Sequence, residues 1–401
     1  MSEDIKNLES PEAVEEKGKY ILEVEHLKKY FPVEKSFFGK PTRFLKAVDD
    51  VSFKLERGKT IGIVGESGCG KTTMGRSVLK LHEITDGKVI FNGTDVTGLN
   101  RSQMRPYRSK MQIIFQDPYS SLSPRFTIGE IIGEAVRVHN IVPKSEHRAY
   151  ILDVMKKCGL QEHFYDRYPH EFSGGQRQRI CIARALALKP ELVICDEPVS
   201  ALDVSIQAQI INLLKDMQEM MNLSYVFISH DLSVVEHISD DVGVMYLGSM
   251  VELGSKKEIF ANPLHPYTKA LFSAIPYPDP RIKMNRILLK GDIPSPSNPP
   301  KGCKFHTRCE SCMEICKHLK PEYREIEKGH FTACHLYNQD VLDNADALIA
   351  ECVRREEEEA AAKESRKRLK LNFKKSSANA EKQPAPAEQE TPAEQQDADK
   401  N

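Results

Sequence analysis

The chain has 401 residues, 40% of them hydrophobic, and a net charge of -1. That length exceeds one typical domain and suggests two, with extensions. The charge balance gives no basic excess of the kind that nucleic acid demands.

The first residues, "MSEDIKNLESPEAVEEKGKY", are acidic and polar. They lack a positive n-region followed by an apolar h-region, so residues 1–20 read as a flexible lead rather than a signal peptide. No apolar run reaches the length of a membrane span, so a soluble, cytoplasmic chain is expected.

From "ILEVEHLKKYF" onward, strand-like runs alternate with helix-like segments. "TIGIVG" (Thr60 to Gly65), "MQIIFQ" (Met111 to Gln116), "ELVICDE" (Glu191 to Glu197) and "SYVFISH" (Ser224 to His230) are apolar without polar alternation. Such runs suit strands buried on both faces of a parallel α/β sheet. Between Ile128 and Leu160 the period is helical, as for a helical insert. "DDVGVMYLGSMVELG" reads as two strands with a turn at Gly248 and Ser249.

Composition shifts near Pro276, where "AIPYPDP" and "GDIPSPSNPPKG" form a proline-rich linker or docked extended segment. "GCKFHTRCESCMEIC" follows as a small appendage. "ADALIAECVRREEEEAAAKESRKRLKL" suits a solvated charged helix. The closing "SSANAEKQPAPAEQETPAEQQDADKN" has almost no large apolar residues and is expected to be disordered.

"GESGCGKT" (Gly65 to Thr72) matches G-x-x-x-x-G-K-[ST] between a strand and a helix-like run, the context of a phosphate-binding loop. Backbone N–H groups of Gly65, Glu66, Ser67, Gly68, Cys69, Gly70, Lys71, Thr72 and Thr73 would wrap phosphates, aided by the helix N-terminus. Lys71 would reach the outer phosphates, and Thr72 would place its hydroxyl on Mg²⁺. "LVICDE" is a strand ending in two acids, where α/β sheets put ligands. Asp196 would hold the Mg²⁺, and Glu197 would polarise the attacking water.

Four more stretches narrow this reading. "FSGGQRQR" (Phe172 to Arg179) opens a helix with Ser173 as a cap. "QDP" begins at Gln116, "SALD" ends at Asp203, and His230 closes a strand. In this order the set resembles the nucleotide-binding domain of ATP-binding cassette proteins, over about residues 20 to 275. The resemblance implies an α/β P-loop NTPase cassette (21–275) with a helical subdomain (about 117–185). It implies that Ser173, Gly174, Gly175 and Gln176 bind the γ-phosphate of ATP held by the opposite subunit. Gln116 matches the glutamine that senses Mg²⁺ and water near the transmembrane partner, which would dock around "DPYSSLSPRF". His230 matches the histidine that contacts the γ-phosphate, and Asp203 the aspartate of the dimer interface. Glu197, His230, Lys71 and Gln116 are then the catalytic set. The adenine would stack on Phe31, with Tyr30 as the alternative. One loop and one signature per chain make two half-sites, which a second cassette would complete.

"HPYTKALFSAIP", "GDIPSPSNPPKGCKFHTRC" and "CHLY" are similar to the ATPase subunits of bacterial dipeptide and oligopeptide importers, to which nickel importers are related. This implies an importer-type extension (276–340) with a cysteine cluster, then a charged, disordered tail (341–401). It implies ATP-driven peptide import, with nickel or another small solute as the alternative and a soluble, non-transport cassette protein behind it. The implied partners are two integral-membrane permease subunits, a second cassette (a different chain, with an identical one as the alternative), and an extracellular solute-binding protein within the complex. The implied location is the cytoplasmic face of the cell membrane. The cysteines are spaced C-x5-C-x2-C-x3-C, with Cys334 further on. In a reducing compartment such spacing favours thiolate metal sites, iron–sulfur or zinc, over disulfides. The resemblance implies a [4Fe–4S] cluster on Cys303, Cys309, Cys316 and Cys334, with Zn²⁺ or no metal as alternatives. Cys158, Cys181 and Cys195 read as buried hydrophobes.

Overall fold

The computed structural model describes residues 18–35, 41–275 and 286–380. Most of the expected lead, part of the proline-rich run and the polar end beyond residue 380 lie outside the described residues. The chain divides into two units, one ending at Asp343 and one beginning at Asn344.

The first unit carries two sheets. The smaller is antiparallel, with order β2-β1-β4-β5, from β1 (Tyr20–Lys35), β2 (Pro41–Glu56), β4 (Asp86–Phe91) and β5 (Thr94–Asp95). The larger has order β11-β12-β10-β9-β3-β8-β7-β6. Its middle is parallel: β3 (Thr60–Val64), β6 (Met111–Ile114), β7 (Leu192–Asp196), β8 (Ser224–Ile228) and β9 (Asp241–Tyr246). Every residue of β3, β7 and β8 is buried. That explains why these strands read as unbroken apolar runs. Apolar side chains above and below the sheet form two core clusters, one around Ile182, Val193 and Tyr225, the other around Ile61, Ile194 and Val226.

The hairpin from β9 to β10 (Ser249–Ser255) turns at Leu247 and Gly248, one residue before the expected Gly248 and Ser249. Both turn residues have positive φ, 42° and 80°. Two-residue hairpins require this twist, and Leu enters it rarely, so the sequence points to the wrong pair. Ser249 instead starts the strand.

The helical insert holds α2 (Ile128–His139) and α3 (His147–Lys157), packed with α4 (Gly174–Leu186). Thr127 and Glu130 form a reciprocal capping box that starts α2. Ile128, Ile131, Ile132 and Val136 recur at helical spacing and are buried. The helix after the phosphate loop is α1 (Lys71–Val78), and α5 (Val204–Met221) follows β7.

The cysteine-rich extension is no separate appendage. Its hairpin, β11 (Arg324–Glu327) and β12 (His330–Thr332), pairs with β10 and continues the main sheet. The fully buried carboxylate of Glu252 on β10 accepts from the N–H groups of Leu264 and His265 and lies 2.8 Å from Nε2 of His330. A buried carboxylate needs such partners, and here they come from two segments and join both to β10.

Among the described residues, the second unit holds one helix, α6 (Ala345–Ala380). Residues 345–380 are helical, as read for the charged stretch that starts at Ala345, and so are not part of the disordered tail expected over 341–401. No helix among the described residues is long and apolar enough to cross a membrane.

Candidate functional site

The loop from Gly65 to Lys71 joins β3 to α1. Gly70 has φ 105°, and a Cβ there would stand 2.1 Å from the carbonyl oxygen of Ala47, so only glycine fits. The side chain of Lys71 is 4% exposed, and Nζ donates to the carbonyl oxygens of Gly65 (2.7 Å) and Glu66 (3.2 Å). Cys69 is buried, and burial raises its thiol pKa, so it packs rather than reacts.

A cavity of about 550 Å³ opens over this loop, lined by Ser67, Gly68, Gly70, Lys71, Thr72 and Thr73. Gln116, Glu197, His230 and Phe31 also line it. The first three come from just beyond β6, β7 and β8. Adjacent parallel strands end side by side, so their C-terminal residues form a row.

Thr72 Oγ1 donates to Asp196 Oδ1 at 2.7 Å. Asp196 is 1% exposed, and burial raises its pKa, opposed by Thr72 and Arg76. Its Oδ2 has no hydrogen-bond partner among the described residues, although Arg76 Nη2 stands 3.7 Å away. A buried carboxylate oxygen without a donor, beside a hydroxyl, is a donor set that suits Mg²⁺.

Glu197 has φ 48°, a left-handed backbone unusual for glutamate, held by its N–H donating to Ile228 O at 3.0 Å. Its Oε2 accepts from Gln116 Nε2 at 3.0 Å and lies 3.1 Å from His230 Nδ1. Three expected site residues thus meet at one oxygen.

Phe31 lines the cavity, whereas the Tyr30 hydroxyl donates to Asp49 Oδ1. Burial, then Asp49, raises the Tyr30 pKa strongly.

Ser173, Gly174, Gly175 and Gln176 are not brought to the phosphate loop. They start α4 in a capping box: the Ser173 N–H donates to Gln176 Oε1 (3.0 Å), and Ser173 Oγ accepts from the Gln176 N–H (3.4 Å). Asp203 caps α5 by accepting from the Ile206 N–H at 3.0 Å. None of these five lines the cavity.

Cys303, Cys309, Cys316 and Cys334 share one neighbourhood, with the Cys303 N–H donating to Cys316 O at 2.8 Å. Burial, then the other thiols, pushes Cys303 up to about 12 and Cys334 to about 11. Among the described residues, however, no group of three or more His, Cys, Asp or Glu side chains is placed to hold a metal ion. The expected iron–sulfur or zinc site finds no support in this geometry. Cys158, Cys181 and Cys195 are buried, and burial raises their pKa values to about 12, to about 11 and still further, respectively.

Sequence reasoning missed Pro296, which lines the cavity, and Tyr267 and Arg308, which hold Glu66 of the phosphate loop. No spacing signal links Arg308 to a residue so distant in the chain.

The family model "ABC transporter" matches residues 48–200, and "Oligopeptide/dipeptide transporter, C-terminal region" matches residues 251–316. The oligopeptide transport ATP-binding protein AppF of Bacillus subtilis (strain 168) is 55% identical over 321 residues, covering 79% of this chain and 98% of that one. The dipeptide transport ATP-binding protein DppF of Haemophilus influenzae is 52% identical, covering 77% and 94%. Among solved structures, the dimeric ATP-binding cassette MJ0796 bound to ADP and Pi matches with TM-score 0.53 and 26% identity, over 59% of this chain and 98% of that one. The local geometry, the two family matches and the length of the shared alignment agree, and the chain belongs to the ATP-binding subunits of ABC transporters of the oligopeptide/dipeptide type.

Proposed function

We propose that this chain hydrolyses ATP in the cavity over its phosphate loop and that the hydrolysis powers import of dipeptides or oligopeptides through a membrane permease. The observation that carries the ATPase reading is the meeting of Gln116 and His230 on Glu197 Oε2, in the cavity that Lys71 and Thr72 also line. Peptides as the cargo rest on the relatives, which are named for oligopeptide and dipeptide transport.

The chain's own groups divide the work. The ammonium of Lys71 now donates to loop carbonyls, and phosphate oxygens would compete for it with stronger, charge-assisted bonds. Backbone N–H groups from Gly65 to Thr73 wrap the phosphates. Phe31 stacks on the adenine. Thr72, Asp196 and Gln116 would hold Mg²⁺, which when bound screens the negative charge of the β- and γ-phosphates. Glu197 orients and polarises the attacking water, and His230 and Gln116 set the direction of its carboxylate. Most of the catalysis is positioning and electrostatics.

Ser173, Gly174, Gly175 and Gln176 would complete the site of a second cassette, with Asp203 at the interface, because in one chain they lie outside the cavity. The partner cassette is a different chain in this proposal. The pair sits on the cytoplasmic face of the cell membrane beneath two permease subunits, fed by an extracellular solute-binding protein. No nucleic acid takes part. The cassette spans 21–275, with its helical subdomain at about 117–185, and the importer-type extension spans 276–340.

A [4Fe–4S] cluster on Cys303, Cys309, Cys316 and Cys334, or Zn²⁺ in its place, rests on the family resemblance, the cysteine spacing and the shared neighbourhood of the thiols. No step of the cycle runs through it. Iron, sulfide and zinc analysis of anaerobically purified protein tests it, and metal-free protein ends it.

Uptake of defined peptides and of nickel in a deletion strain tests the cargo. Restoration of peptide uptake by the parental chain, but not by Glu197→Gln, is expected. Restoration of nickel uptake alone would replace peptide import with the metal reading.

A further inference from the structure

Lys304, Phe305 and Arg308 lie in the cysteine-rich extension, yet their side chains reach the nucleotide cassette. Phe305 is the anchor: it is buried, with its ring edge-on to Tyr246 (centroids 5.2 Å apart) and tilted against Tyr267 (5.3 Å). To one side, Lys304 Nζ donates to Asp49 Oδ2 (2.8 Å) and to the Leu247 carbonyl (2.9 Å). To the other, Arg308 reaches the phosphate loop. Its Nη1 donates to Glu66 Oε2 at 2.7 Å and its Nη2 to Glu66 Oε1 at 3.0 Å, a two-pronged pairing. Arg308 is 8% exposed, so this pair is poorly screened by solvent.

Glu66 is also held by its backbone, whose N–H donates to Tyr267 Oη at 2.9 Å. The carbonyl of the same residue accepts from Lys71 Nζ at 3.2 Å. One loop residue is thus gripped by the extension at its side chain, by Tyr267 at its N–H and by the phosphate-binding lysine at its carbonyl. A carboxylate beside a site for a polyanion repels the ligand unless a cation cancels it.

We propose that Arg308 is a positioning residue for the phosphate loop: it cancels the charge of Glu66 and fixes the loop in the shape that receives ATP. The cysteine-rich extension then supports the ATP site from outside the cavity, through Glu66. This inference rests on the ATPase reading given above.

The test measures Mg-ATP affinity of the full-length chain by calorimetry, and KM and kcat for ATP in the assembled transporter. Arg308→Gln is expected to raise KM roughly tenfold, equivalent to about 1.4 kcal/mol, with a smaller effect on kcat. Glu66→Gln alone should raise it less, because it leaves a cation rather than an anion beside the phosphates. Adding Glu66→Gln to Arg308→Gln should recover most of the lost affinity, which simple additivity does not allow. Arg308→Lys keeps the charge but loses the fork, and should fall between parent and Arg308→Gln; it carries the test if Arg308→Gln fails to fold. An unchanged KM in a folded Arg308 variant overturns the inference. So does a double variant as weak as the sum of its parts, which would mean that Arg308 and Glu66 act independently. Failure of the ATPase reading looks different: the parental protein itself would neither bind nor hydrolyse Mg-ATP.

Discussion

His230 and Glu197 are joined in the lining of the cavity, with Nδ1 of His230 3.1 Å from Oε2 of Glu197. The same oxygen accepts from Gln116, so the carboxylate is aimed by two neighbours from two different strand ends. The backbone of Glu197 is left-handed, at φ 48°, and the residue lines the cavity just past the end of β7.

Glu197→Gln keeps the shape of this contact and removes the charge that polarises water. Turnover is expected to fall by about 10²–10³-fold while Mg-ATP affinity holds. Phosphate release by the assembled complex checks it. Unchanged turnover would instead mark a subunit whose own site does not hydrolyse.

Thr72 and Asp196 form the second pair, at 2.7 Å. Asp196→Asn weakens a hard-cation site without changing its volume. The Mg²⁺ concentration for half-maximal ATPase should then rise by about tenfold or more. A Mg²⁺ titration at saturating ATP reads this directly, and an unchanged midpoint would remove Asp196 from the cation site.

Ser173 lies outside its own chain's cavity. Ser173→Arg should therefore leave Mg-ATP affinity of the separate chain near the parental value and abolish turnover of the complex. Calorimetry and phosphate release, run side by side, decide it. Loss of affinity in the separate chain would place the signature at its own loop.

His265 gives a stability prediction. Burial, reinforced by Lys269 and opposed by Glu252, lowers its pKa to about 4 from the usual 6.5. Below about pH 6.5 the unfolded chain takes up a proton that the folded chain refuses until about pH 4. Folding stability should decline across that window by ~3 kcal/mol from this group alone. His265 Nδ1 accepts from the Tyr267 N–H, and His265→Asn keeps an acceptor there without the titration. Urea unfolding from neutral pH down to about pH 4 should show a flatter decline in the variant. Equal slopes would refute the role of His265.

Much of the site was legible in the sequence because its parts are local. A phosphate loop is defined by the backbone of a few consecutive residues, so "GESGCGKT" carries it. The buried strands "TIGIV", "LVICD" and "SYVFI" show as apolar runs for the same reason. Where a feature depends on a meeting of distant segments, nothing local records it. Glu66 and Arg308 are 242 positions apart, and neither shows a spacing pattern that names the other. The hairpin of β11 and β12 looks like part of a loose cysteine appendage until its pairing with β10 is seen.

By itself the sequence determined the α/β cassette, the phosphate loop, the two acids after β7 and the identity of the residues that gather around them. Only the tertiary structure decided that Phe31 rather than Tyr30 faces the cavity. Successive strand residues point to opposite faces, and the choice between faces is made by what packs there. It also decided that Ser173 to Gln176 stand away from their own loop and that the cysteine-rich extension grips the phosphate loop through Arg308. Contacts between distant segments depend on how the sheet and its core bring those segments together, and no local pattern records that.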